Sequence, residues 1–210
     1  MKTTILLYDR MTALDAVGPY EVLSRFPGNE VLFVADRAGP VRTDTGFLTL
    51  VADASLDEAP AADIILVPGG FAPPLRTGPV HEWLRAADAA STWTTSVCVG
   101  SLVLGAAGLL AGRRATSHWM TLDNLTGYGA MPAAERVVID GKYATAAGVS
   151  AGIDLALTLV GEIAGPEAAM AIQLGIEYDP APPFEAGSPA KAPDPIVAFL
   201  RENRDLVVRL

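Results

Sequence analysis

Four short runs, Thr4 to Tyr8, Val31 to Ala35, Ile64 to Val67 and Trp93 to Val97, are continuous stretches of strand-forming residues without clean apolar–polar alternation. Such runs suit strands covered by helices on both faces, which is the condition of a buried parallel sheet. Helical patterns separate them. Leu14 to Phe26 places Leu14, Val17 and Leu23 near helical spacing, Val80 to Ala90 is a second helix, and the Ala- and Gly-rich segment Leu102 to Leu110 is a third. The resulting β-α-β-(meander)-β-α-β-α order predicts a doubly wound α/β layer fold.

Two hairpins interrupt that order. Val41 to Val51 turns at Thr43-Asp44-Thr45-Gly46, and Glu135 to Ile139 turns through Asp140-Gly141 into Lys142 to Thr145. Ala115-Thr116-Ser117 reads as a further short strand, and helices follow over Val149 to Ile163 and Pro166 to Leu174. Beyond Tyr178, six prolines from Pro180 to Pro195 rule out regular helix or central strand. Residues 179–195 are therefore expected to form an extended arm lying on the chain's own domain or on a partner, followed by a C-terminal helix over 195–208. The whole chain, 1–210, reads as a single domain.

Charge narrows the partners. Fifteen basic against twenty-four acidic side chains give a net charge of −9, which repels nucleic acid and anionic membrane surfaces. No apolar stretch approaches the ~18 residues of a membrane span. The first apolar run is too short for a signal-peptide core, and the lone Cys98 cannot form an internal disulfide. These features suit a cytoplasmic, soluble protein.

Cys98 ends a strand pattern, and a helix pattern begins one residue later in Val97-Cys98-Val99-Gly100-Ser101. A thiol on such a turn sits at the carboxyl edge of the sheet, where a helix N-terminus is expected to lower its pKa. An inert buried cysteine is the alternative. Pro68-Gly69-Gly70 closes the preceding core strand and either offers backbone N–H donors to a ligand or makes an ordinary turn. Asp15, after the first strand, is either a proton-transfer group at the same edge or a helix cap. His118 either pairs with Cys98 or is a hydrogen-bonded structural histidine. His81 opens what reads as a surface helix and receives no role.

Gly148-Val149-Ser150-Ala151-Gly152 matches the serine-hydrolase elbow, but no histidine follows Ser150, which reads instead as a helix cap. Two histidines and one cysteine have no metal-ligand spacing, and no P-loop or dinucleotide fingerprint is present. No metal and no cofactor are expected.

Together these residues resemble the DJ-1/PfpI superfamily, the class I glutamine-amidotransferase-like fold, and within it the isonitrile (isocyanide) hydratases. The resemblance runs through Val67-Pro68-Gly69-Gly70, Leu14 to Pro19, Gly100 to Leu110, Ala115 to Trp119, Ala147 to Asp154 and Gln173 to Pro180. It implies a flavodoxin-like three-layer α/β/α sandwich, usually homodimeric. It also implies a hydro-lyase in which Cys98 attacks the terminal carbon of R–N≡C, Asp15 is the general acid/base, and Gly70 and Val99 present backbone N–H groups, with His118 nearby. Such hydratases usually carry Thr directly after the nucleophile. Val99 here lacks that hydroxyl and its hydrogen bond to a thiolate. The alternative is a DJ-1-like redox- or electrophile-responsive or glyoxalase-like thiol protein. A ligand-sensing module of a transcription regulator fits less well with the acidic charge.

Overall fold

The computed structural model describes residues 1–210. Its centre is a seven-stranded sheet ordered β10-β11-β7-β6-β1-β2-β5. The strands are β1 (Lys2–Leu6), β2 (Glu30–Ala35), β5 (Ala54–Ser55), β6 (Ile64–Val67), β7 (Trp93–Val97), β10 (Val137–Asp140) and β11 (Tyr143–Ala146). Every pairing is parallel except that of β10 with β11. The two central apolar runs explain the centre of the sheet. All four residues of β6 are buried, as are four of the five in β1, so these strands are covered on both faces.

Helices α1 (Ala13–Leu23) and α4 (Ala151–Ala164) pack on one another, and α5 (Pro166–Gly175) packs on α4. Helices α2 (Pro79–Ala90) and α3 (Gly100–Ala106) form the second pair. The chain is thus a three-layer α/β/α sandwich. The hairpin of β3 (Gly39–Arg42) and β4 (Thr49–Ala52) stands apart from the sheet, as does the short pair of β8 (Arg114–Ala115) and β9 (Met131–Pro132).

Several boundaries shift. Helix α1 stops at Leu23, short of Phe26, and α3 begins at Gly100 and ends at Ala106. The strand expected over Ala115 to Ser117 keeps only Ala115 paired, because Thr116 and Ser117 turn their polar groups toward β11 and the Cys98 elbow. The second hairpin is an integral edge of the main sheet through the parallel pairing of β11 with β7.

The C-terminal helix is shorter than expected: α6 covers Asp194–Glu202, followed by a 3₁₀ turn at Arg204–Leu206. The break lets Val208, only 2% exposed, enter the main core. The arm's end therefore lies on its own domain. Arg201 stands over Trp119 and Arg209 over Phe71, with 5.8 and 5.0 Å from guanidinium carbon to ring centroid. No helix is long and apolar enough to cross a membrane.

Candidate active site

The register of the sheet brings three loops to one point. Val67 of β6 lies beside Ser96 of β7, and Ala146 of β11 lies beside Val97. Cys98 consequently emerges between the Pro68-Gly69-Gly70 turn and the Ala147-Gly148-Val149 turn. The segment after β1 approaches from the third side and carries Asp15 on α1.

Cys98 adopts a left-handed conformation, with φ of 58°, which costs an L residue roughly 1–2 kcal/mol. Surrounding hydrogen bonds hold it there. Its N–H is shared between the carbonyls of Ala146 and Ala147, each at 3.1 Å. Its carbonyl accepts from the hydroxyls of Ser101 and Ser117, also at 3.1 Å each. Four contacts on the backbone of one residue make the elbow a fixed feature rather than a mobile turn.

Glycine is required where the turns meet. A Cβ on Gly100 would lie 2.1 Å from the Val67 carbonyl oxygen. One on Gly69 would lie 2.7 Å from the Val99 nitrogen and 2.9 Å from both Asp15 Oδ2 and Cys98 Cβ. These close approaches let three backbone segments and one carboxyl group converge on the sulfur.

Asp15 is fully buried and does not cap α1, whose N-cap position is Thr12. Its Oδ2 accepts the Gly69 N–H at 2.8 Å, whereas Oδ1 has no N–H or O–H partner. Burial raises the Asp15 pKa to about 8; the Gly69 hydrogen bond opposes this rise and the nearby Asp44 charge adds to it. Asp44 comes from the turn of the β3–β4 hairpin and is tied to this side by the Thr12 hydroxyl, 2.6 Å from its Oδ2.

The thiol runs opposite to the expectation from the helix terminus. Burial, and then the Asp15 charge, push Cys98 well above its ordinary value, while the N–H groups of Val99 and Val149 directed at the sulfur pull it down. Desolvation wins because the residue is only 5% exposed and α3 is a short helix. Cys98 and Asp15 therefore form a coupled pair that resists losing its last proton. Tyr8 stays protonated beside them: burial and the charges of Asp15, Cys98 and Asp44 raise its pKa, and its hydroxyl donates to the Pro68 carbonyl at 2.9 Å.

The N–H groups of Gly70, Val99 and Val149 donate to no protein oxygen. Gly70 is held by flanking bonds, Thr12 N–H to the Gly69 carbonyl and Phe71 N–H to the Arg10 carbonyl, both 2.9 Å. These bonds leave its own N–H free. Val99 supplies a main-chain donor regardless of its side chain, so the missing hydroxyl leaves the backbone part of the site intact.

His118 is buried, with its ring against Gly148: a Cβ there would lie 2.6 Å from His118 Cδ2. Its Nδ1 accepts the Met120 N–H at 3.3 Å, and burial lowers its pKa to about 4, so the ring is neutral. The groups that perturb the Cys98 thiol do not include this imidazole. His81 is buried rather than on a surface helix, beside the Pro74 carbonyl, and burial lowers its pKa. Ser150 occupies the N-cap position of α4 without a side-chain cap bond; its hydroxyl instead accepts from Arg136 at 3.2 Å. No cluster of three or more His, Cys, Asp or Glu side chains is placed to hold a metal ion.

Sequence reasoning missed Tyr8, Asp44 and Val149, and had Gly69 only as half of the Gly-Gly pair, without its contact to Asp15.

A buried thiol on a left-handed strand-to-helix turn, facing a protonated carboxyl group on a doubly wound sheet, defines a class of α/β thiol proteins. The comparisons narrow that class: residues 1–162 match the DJ-1/PfpI family model, and the chain belongs to that family. It is 45% identical to an isonitrile hydratase from Pseudomonas putida, over 94% of this chain and 87% of that one. A ThiJ/PfpI family protein from Pseudomonas syringae superposes with a TM-score of 0.93 at 39% identity, covering 96% of this chain and 85% of the other. The HTH-type transcriptional regulator CdhR from Pseudomonas aeruginosa is 33% identical over 80% of this chain, which spans only 51% of that regulator.

Proposed function

We propose that this chain hydrates isonitriles to N-substituted formamides, with Cys98 as nucleophile and Asp15 as proton carrier. The observation that carries the reading is the pairing of a buried carboxyl group, proton-loaded near neutrality, with a fixed buried thiol. An isonitrile carbon needs both a nucleophile and a proton. The coupled pair supplies the two together.

In the first step the Cys98–Asp15 pair reacts in the form that holds a single proton, on Asp15, and the Cys98 thiolate forms a bond to the terminal carbon of R–N≡C. The lone pair on that carbon takes the proton held by Asp15 while one C≡N π pair moves to nitrogen, leaving a thioimidate R–N=CH–S and an Asp15 carboxylate. The carboxylate then removes a proton from water as its oxygen attacks the thioimidate carbon, and that proton passes to nitrogen. Collapse of the adduct breaks the C–S bond, releases R–NH–CHO and returns the hydroxyl proton to the Cys98–Asp15 pair. One water is consumed, and no electron acceptor or donor is needed. The free N–H groups of Gly70 and Val99 are available to the oxygen of the adduct, and neutral His118 shapes the wall behind Gly148 without exchanging protons.

Support also comes from the 45% identity to the hydratase over nearly the full chain. The redox reading is weaker on physical grounds, because an external oxidant must reach a residue that is only 5% exposed. The test is incubation of the purified protein with one alkyl and one aryl isonitrile, following the formyl proton of the product by NMR. Formamide should accumulate catalytically with both; its absence with both rejects the hydratase reading.

We read the chain as a cytoplasmic homodimer. Phe47 (93% exposed), Val51 and Leu48 on the β3–β4 hairpin form the apolar surface assigned to a second copy. Sedimentation should give twice the 21.9 kDa chain mass; a monomer at micromolar concentration would exclude this assembly.

A further inference from the structure

The turn Ala147-Gly148-Val149-Ser150 touches the candidate nucleophile at two points yet is poorly held by its own bonds. The Ala147 carbonyl accepts the Cys98 N–H, and the Val149 N–H is directed at the sulfur. Val149 has φ of 21°, an unfavourable value for a β-branched residue. The first backbone bonds of α4 are long, at 3.2, 3.4 and 3.3 Å for Ala151, Gly152 and Ile153 donating to Gly148, Val149 and Ser150. The Ser150 side chain contributes no cap. Something outside the turn must hold it.

One residue brackets it from both ends. The Arg136 carbonyl accepts the Ala147 N–H at 2.9 Å. The Arg136 guanidinium donates to the Ser150 hydroxyl at 3.2 Å, and its Nε and Nη2 lie 2.8 and 2.6 Å from Asp154 Oδ2 in the first turn of α4. The Tyr178 hydroxyl adds a third donor to the same oxygen at 3.1 Å, tying the start of the proline arm to this point.

We infer that Arg136 is a positioning residue for Cys98, its guanidinium fixing the turn that carries the Ala147 carbonyl, acceptor of the Cys98 N–H, and the Val149 N–H. The inference rests on the reading of Cys98 as nucleophile but not on the choice of substrate. The side chain of Arg136 is half exposed and that of Asp154 about a third, so solvent screens the charges and the fork geometry carries the effect. Lysine can keep the pairing with Asp154 but cannot span Ser150 and Asp154 together.

The experiment is alkylation of Cys98 by iodoacetamide as a function of pH in the wild type, Arg136→Lys and Arg136→Ala. Neither substitution alters the titratable groups around the thiol: Asp15 on α1 and Tyr8 after β1 beside it, Asp44 of the hairpin turn beside Asp15, and His118 behind Gly148. The rate near pH 8 should fall about threefold to tenfold in Arg136→Ala, the effect of weakening one N–H donor to sulfur, and the profile should move to higher pH. Arg136→Lys should lie between, and the isonitrile KM should change less than kcat. Superimposable profiles in folded variants overturn the role of Arg136. Should Arg136→Ala not fold, Arg136→Lys against wild type decides on the same profile. A wild-type thiol that forms no adduct at any pH would instead overturn the nucleophile on which the inference stands.

Discussion

Asp15→Asn is expected to abolish most formamide formation while making the protein more stable at neutral and alkaline pH. The amide can still accept the Gly69 N–H, now 2.8 Å from Oδ2, so the turn beneath Cys98 is preserved. What is lost is the proton that the isonitrile carbon must receive. A single general acid/base is worth about 10²–10⁴ in rate, and here one group serves both steps, so a loss of about 10³ or more is expected. The stability effect has the opposite sign. Asp15 has a folded-state pKa of about 8 against 3.8 for an ordinary aspartate. Below pH ~4 it is protonated in both states and costs nothing. As pH rises toward 8 the unfolded chain ionises and the folded chain does not, so stability falls by at most about 1.4 kcal/mol per pH unit. Asparagine removes this penalty. Allowing for the coupling to Cys98, a gain on the order of 2 kcal/mol at pH 7 is expected, equivalent to roughly 4–8 °C in melting temperature. Thermal melts of both proteins from pH 4 to 8 should converge at the acid end and diverge above it. Parallel curves would show that the Asp15 pKa is not raised, and an active amide would place the acid elsewhere.

This opposition of activity and stability was only half legible in the residues. An acid near a helix start reads as a cap, and nothing local separates that from a buried proton carrier. The difference lies in Gly69, far along the chain, whose missing side chain lets Asp15 reach the Cys98 elbow. The sheet was more readable. Ile64 to Val67 and Trp93 to Val97 match β6 and β7 residue for residue, because continuous strand-forming runs between helices have few other uses. The fate of the second hairpin was not readable, since its turn dipeptide specifies a hairpin but not the edge it joins. The thiol's environment was misread for a related reason. A helix terminus is visible in sequence, whereas desolvation depends on how three loops close over the sulfur. Val149 contributes a backbone N–H, and backbone groups leave no trace in residue type. His81 shows the same limit, a polar residue in a helical pattern that lies fully buried.

Cys98→Ala should leave the fold intact and remove turnover altogether. The elbow is held by the Cys98 backbone rather than by the thiol: two carbonyls accept its N–H and two serine hydroxyls donate to its carbonyl. Alanine carries the same Cβ and therefore the same left-handed cost, so the melting temperature should stay within a few degrees. The small cavity left by the sulfur costs little, and loss of the Cys98 hydrogen bond, which lowers the Asp15 pKa, leaves that carboxyl group protonated. Catalysis has no such substitute. Asp15 could still protonate carbon, but without sulfur no thioimidate forms and water must attack the isonitrile directly, so a rate loss of at least ~10⁴ is expected. Cys98→Ser separates nucleophilicity from shape. Its hydroxyl sits in the same donor set but remains protonated under every condition the fold survives, and it should be nearly as inactive as alanine. Mass spectrometry supplies the direct reading: wild type quenched during turnover should show the peptide containing Cys98 heavier by one isonitrile, and neither variant should. Formamide production by Cys98→Ala, or an adduct on any other residue, would move the chemistry away from the elbow.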